Sequence, residues 1–407
     1  MKTGSRILRP QIIFPFLLVC YLWTFLQGWI PKWGASWVFS GIGAIYGLHY
    51  VLKYHIKIDY FLSLLFFSVV LVINILAGDV YWNPLKAFYE ISLLIWTSSM
   101  LIYVKSSNDK KTMNSIIKTT IFVIVIITLC SFVIEHYYPN AIRSSAEALF
   151  HQNDYSSIKQ LSRWGGSNYY LPHAIPIILP AIILGIKKPD YKIKHKLFLF
   201  IFLILCFGLV WISGSFTALL LSILAILLSC LISIAPLKYN LTKILFFILV
   251  IPFITDEYFL MMLLEFAERL VGEGNAFSSK IIEAQNSLRF NEIEGDASIR
   301  LEFYSKSISS GVENIVWGTD STIGNHSVII DHFASLGLIG FLPFIFFIFR
   351  VLKITYNIIP SSMSSFYLLG VLLGFSMLLL KNMSCGELWI FLFALLPLLI
   401  LKFSSNK

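Results

Sequence analysis

Charge is scarce in this 407-residue chain, with Asp, Glu, Lys and Arg making up 13% of it, about half of the roughly 25% usual for a soluble protein. Hydrophobic residues take 57%, aromatic residues 16%, and the mean hydropathy is +0.79, which excludes a soluble globular protein and points to a membrane protein. Cysteine is also rare. The five, Cys20, Cys130, Cys206, Cys230 and Cys385, lie in or beside apolar runs with no CxxC pair and no Cys/His cluster, so neither a disulfide framework nor a zinc site is expected. A secretory signal peptide is not expected either, because the first apolar run lacks a small-residue cleavage site and continues into the aromatic stretch Gly28-Trp29-Ile30-Pro31-Lys32-Trp33.

Long apolar runs are abundant. Since a spanning helix needs about 20 residues, runs bounded by charge, Pro and Gly predict twelve spans. They lie at 11–26, 34–52, 59–77, 85–104, 115–134, 169–186, 196–212, 216–234, 241–255, 327–349, 363–380 and 387–402. The expected fold class is therefore an all-α integral membrane protein, with residues 1–407 forming one polytopic membrane domain. The net charge of +9 could be the mark of a nucleic-acid partner. Placement argues otherwise. With a cytoplasmic N-terminus, 20 of the 31 basic residues fall in inside segments, and most of the remainder lie in two long outer segments. Short loops set orientation and long ones translocate largely regardless of charge, so both termini are expected to be cytoplasmic and no nucleic-acid partner is expected.

The two long segments are 135–168 and 256–326, and the second holds twelve of the 22 acidic residues. Loops longer than about 12–15 residues are uncommon without a function, so chemistry is expected there and at the helix ends to which they return. Within the larger loop, Tyr258–Val271 reads as an amphipathic surface helix, followed by helical stretches at Ser278–Phe290 and about Ser298–Ser309. On the last, Arg300, Tyr304 and Ser307 share a face opposite Phe303. An arginine held over a membrane-embedded cavity suits phosphate, because its planar fork makes paired charge-assisted hydrogen bonds. Taken alone, Arg300 is equally an ordinary ion-pair residue of a surface.

The next segment supplies context. Asn325-His326-Ser327 opens an apolar helix with Asp331, His332, Gly337 and Gly340 behind it. A water-accessible histidine at the outer mouth of a span can accept a proton near neutral pH. A carboxylate within a span, as at Asp331, is costly and faces a cavity or a partner, for which His332 is a candidate. The smaller loop ends in Arg163-Trp164-Gly165-Gly166-Ser167-Asn168-Tyr169-Tyr170, before a span interrupted by Pro172, Pro176 and Pro180. Such residues fit a surface for sugar rings and phosphate, and equally an interfacial aromatic belt.

Together these features resemble the O-antigen polymerases and O-antigen ligases of bacterial envelopes, polytopic glycosyltransferases with one dominant periplasmic loop late in the chain. His326-Ser327, nine residues, then Gly337-Leu338-Ile339-Gly340 fits the H-[N/S/Q]-x9-G-x-x-G pattern of the ligases and their relatives. Arg300 to Tyr304 followed by Trp317-Gly318 resembles the family's loop helix and the glycine segment after it. Arg300, ten residues, Gly311 resembles the R-x10-G element of some polymerases, and Arg163–Tyr170 is similar to the family's approach to the next span. One departure is Ser213-Gly214-Ser215-Phe216-Thr217, where Phe216 stands at a position that relatives often give to arginine.

The resemblance implies glycosyl transfer between undecaprenyl-diphosphate-linked saccharides on the periplasmic face of the inner membrane. It implies His326 and Arg300 as catalytic residues, Arg163, Arg289 and Arg300 as diphosphate contacts, and Tyr304, Asp331 and Asn168 in support. No Asp-x-Asp motif occurs in the outer loops, so a metal-independent, inverting reaction without a cofactor is expected. The first expectation is an O-antigen polymerase, whose partners would be the lipid-linked donor and acceptor, the bilayer, a chain-length regulator and a flippase. A ligase moving polysaccharide to the lipid A core is the alternative. A lipid-linked oligosaccharide flippase is less well matched, because no two-fold repeat is evident and few charges besides Glu90 and Asp331 lie in the spans.

Overall fold

The computed structural model describes residues 9–23, 35–53, 59–76, 84–138, 141–142, 170–241, 296–319, 323–324, 326–380 and 386–404, with isolated positions at 243, 265, 281–282 and 285–286. Among these residues there is helix and no strand. In chain order the helices are α1 (Pro10–Leu22), α2 (Ala35–Lys53), α3 (Asp59–Leu76), α4 (Pro84–Ser107), α5 (Lys110–Tyr137) and α6 (Tyr170–Lys187). They continue with α7 (Ile193–Ile212), α8 (Phe216–Leu231), α9 (Asp296–Glu313), α10 (Val328–Tyr356), α11 (Ser364–Leu380) and α12 (Gly386–Ser404), the last passing through a π-helical stretch at Ile390–Leu395. Among the described residues, seven helices are long and apolar enough to cross a membrane, and Pro10–Leu22, Leu62–Leu76 and Phe216–Leu231 are shorter apolar helices. The protein is thus an all-α, membrane-embedded bundle. Eleven of the twelve expected spans coincide with a helix, and the ninth, 241–255, falls almost wholly outside the described residues.

The centre of the bundle is α6. A helix apolar on every side has no face to offer water and is buried all round, and α6 is buried from Leu171 to Gly185, packed against α7, α8, α11 and α12. Helices in lipid gain by close packing rather than by escape from water, so small residues mark their contacts. Gly43 of α2 faces the Trp96 ring of α4, where an added Cβ would come within 2.6 Å, and Gly370 of α11 lies against the Ile177 carbonyl of α6.

Polar groups mark the two ends of the bundle. At one end Lys187 Nζ donates to the carbonyls of Ser229 (3.0 Å), Cys230 (2.6 Å) and Ile232 (2.6 Å), closing the C-terminus of α8. Lys188 donates to the Phe403 carbonyl near the end of α12. At that end too, Asp109 caps α5 by accepting from the N–H groups of Lys111 and Thr112, both at 3.0 Å. Burial alone would raise the Asp109 pKa, but these bonds and those from the Thr112 and Tyr103 hydroxyls outweigh it and hold the carboxyl below its usual value. At the opposite end the Tyr21 hydroxyl meets that of Tyr89 and accepts the Gly386 N–H at 3.0 Å.

One expected span is not a single helix. At Gly337 the backbone of α10 takes φ 55° and ψ −169°, a region essentially limited to glycine. The helix breaks there into a short half ending at Leu336 and a long half from Leu338 to Tyr356. The severity of the bend is visible in its side chains. His332 and Phe344 lie twelve residues apart, roughly 18 Å along a straight helix, yet their rings stack with centroids 4.7 Å apart.

Candidate functional site

The broken helix builds the site. A break frees backbone groups, and inside an apolar bundle each must find a partner. The segment following α9 supplies them: Thr319 N donates to Ala334 O (2.9 Å), Leu338 N to Ile315 O (2.8 Å) and Ile339 N to Val316 O (3.2 Å). This crossing brings Gly318, with φ 83°, onto Gly337, and a Cβ on Gly318 would lie 2.7 Å from Gly337 N. A Cβ on Gly337 would meet Gly318 N and Val316 O. The two glycines picked out separately in the sequence are therefore two halves of one backbone contact. Gly311 seats α9 against Phe333 and Ala334, and Gly340 lets the long half of α10 approach Val70 of α3.

The short half of α10 begins with a built cap. Ser327 Oγ accepts from Ile330 N (3.2 Å) and donates to Leu378 O of α11 (3.4 Å). This explains a small polar residue after His326. Asp331 reaches back to accept from Ser327 N (2.9 Å) and from Ser307 Oγ of α9 (2.7 Å), while Ser307 Oγ also accepts from Gly324 N (2.8 Å). A buried carboxylate thus ties α9, the 323–327 segment and α10 together. The sequence offered His332 as its partner. Instead Asp331 holds Ser307 and Ser327, and the His332 ring lies 3.9 Å from Glu90 of α4.

His326 is half-buried just ahead of this cap, its ring 4.7 Å from that of Phe303. Phe303 was expected opposite Arg300, Tyr304 and Ser307. It turns instead toward α10 with Ser307, because positions four apart share a helical face. Arg300 is half-buried on α9, one turn before Phe303. Tyr304 donates to Leu380 O (2.8 Å), joining α9 to the end of α11. Burial raises the Tyr304 pKa; the Arg300 charge pulls it down and Asp331 pushes it up. At the end of the bundle opposite the lysines, His326 packs on Phe303 of α9, Tyr304 and Ser307 link α9 to Leu380 of α11 and Asp331 of α10, and Arg300 lies on α9 one turn before Tyr304. Arg163, Asn168 and Arg289 lie outside the described residues, as does most of both long loops.

Two buried contacts were not anticipated. His173 Nε2 of α6 lies 2.7 Å from Ser215 Oγ, which also caps α8 by accepting from Ala218 N. The sequence singled out the Ser213–Thr217 step for its missing arginine; in the structure Gly214, with φ 64°, turns the chain there and Phe216 is exposed. The second is the approach of Glu90 to His332, both essentially without exposure. Glu90 stood out in the sequence as a charge in a span, but nothing there named its partner.

Compared with known proteins, the chain matches no family model and no curated sequence.

Proposed function

We propose that the protein is an O-antigen polymerase of the bacterial inner membrane, a glycosyltransferase joining undecaprenyl-diphosphate-linked repeat units at the periplasmic face. The observation that carries this reading is the convergence of separate parts of the sequence pattern on one site. Phe303, one turn from Arg300, packs on His326 at 4.7 Å, and the Gly318–Gly337 crossing fixes the two segments relative to each other. In the proposed reaction a hydroxyl of the acceptor sugar attacks the anomeric carbon of the donor. His326 takes the hydroxyl proton, and the bond from the anomeric carbon to the diphosphate oxygen breaks with its electron pair leaving on the diphosphate. Arg300, with Arg163 and Arg289 as further candidates, stabilises that leaving charge. Single displacement inverts the anomeric configuration. The reaction calls on no metal or cofactor.

Twelve spans with both termini cytoplasmic belong to the same proposal. The gathering of Lys187 and Lys188 at the end remote from His326 supports this orientation, since short cytoplasmic loops are the basic ones. The His326-Ser327 to Gly340 motif fits a ligase as well. Deletion of the gene separates the two: lipopolysaccharide bearing a single repeat unit is the result expected of a polymerase, whereas a core with no repeat unit indicates a ligase.

A further inference from the structure

The proposed chemistry leaves the buried Glu90–His332 contact unused. Glu90 is 1% exposed, and its Oε1 lies 3.9 Å from Nε2 of His332, which has no exposure. Their surroundings are aromatic: Phe344 stacks on the His332 ring at 25°, and Trp389 of α12 stands edge-on to Phe344 with centroids 6.2 Å apart. Lys86, one turn earlier on α4, is close enough to act electrostatically on both groups. The neighbouring elements carry two further buried acids, Asp331 on α10 and Glu387 on α12. Ionisable groups in such a place are expensive, and a purely structural filler would be apolar.

The break in α10 gives the contact a purpose. Because the helix is interrupted at Gly337, the long half does not dictate the direction of the short one. The short half is held by the 315–319 segment at its C-terminal end, by the Asp331–Ser307 bond toward α9, and by His332 toward α4. Of these, the last ties it to α4 through a side chain behind the site, as the Ser327 hydroxyl ties its cap to Leu378 of α11. We infer that Glu90 is a positioning residue, which through His332 sets the half-helix behind His326 and so the place of that imidazole at the mouth of the bundle. The pair is neutral as a whole when it holds one proton, so it gives directionality without leaving a net charge in the membrane. The inference rests on the reading of His326 as the base.

Hydrogen exchange and chain extension, measured on the purified full-length protein, test it. Glu90→Gln keeps the shape and removes the titratable carboxyl. Exchange at 328–336 is expected to rise about tenfold while α6 stays protected, and kcat to fall about tenfold with KM for the lipid-linked donor unchanged. The exchanged pair, Glu90→His with His332→Glu, is expected to restore both, which a merely space-filling role would not do. If Glu90→Gln does not fold, His332→Gln is read by the same criteria. A folded variant with unchanged exchange at 328–336 overturns the inference, and so does raised exchange with unchanged kcat. A fully active His326→Ala protein would instead show that the assignment of the base has failed.

Discussion

At the scale of single residues, the site is held by a few polar side chains with two or more partners each. Asp331 is the clearest case, since its carboxylate receives both the Ser307 hydroxyl and the Ser327 N–H. Asp331→Ala leaves two buried donors without an acceptor and is expected to cost about 1–3 kcal/mol, read as a lowered melting temperature of the purified protein, with chain extension falling in parallel. Ser307→Ala should cost less. Asp109 gives a pH-dependent contrast remote from the site. Its folded pKa lies below the unfolded value, so its stabilisation is complete above about pH 4 and is lost as the pH falls through the folded pKa. At neutral pH Asp109→Ala should cost about 1 kcal/mol, and the gap from wild type should close in a melting series carried into acid. A gap that widened in acid would contradict this assignment.

At the scale of elements, the sequence made the helices legible because apolar runs of spanning length have few alternatives in a membrane. It also picked out Gly318 and Gly337, as members of the motifs that carry the resemblance. It did not disclose why glycine stands there. A break in α10 is invisible in a run as apolar as 328–349, since the backbone partners of Ala334, Leu338 and Ile339 come from the loop between α9 and α10 and not from a local pattern. The Glu90–His332 approach was hidden for a related reason: helix periodicity says which face a residue occupies but not which of the other helices that face meets. Where local spacing alone decided, as on α9, the sequence grouped Arg300, Tyr304 and Ser307 correctly and misjudged only Phe303. The close backbone approaches predict two intolerant glycines. Gly337→Ala forces a side chain into a positive-φ backbone pressed against Gly318 and should destabilise the protein by about 2 kcal/mol or more, while Gly324, which closely approaches the α9 backbone at Phe303, should be similarly intolerant. A Gly337→Ala protein that melted like wild type would mean that the half-helices are not separated by that residue.

At the scale of the whole molecule, the bundle divides its polar groups between two ends, lysines closing helix C-termini at one and His326 with α9 at the other. Composition alone foretold a membrane protein, and the distribution of its basic residues predicts an orientation. Reporter fusions at both termini should therefore read as cytoplasmic, and a tag inserted within 256–326 should be reached from the periplasm by an impermeant reagent. The catalytic reading is tested most directly by incubating purified protein with undecaprenyl-diphosphate-linked repeat units and resolving the products by size. Wild-type protein should give a ladder of lengthening saccharides, and folded His326→Ala and Arg300→Ala proteins should leave the substrate at a single repeat. A full ladder from either variant would contradict the assignment of the site, and no ladder from folded wild-type protein would contradict the polymerase itself.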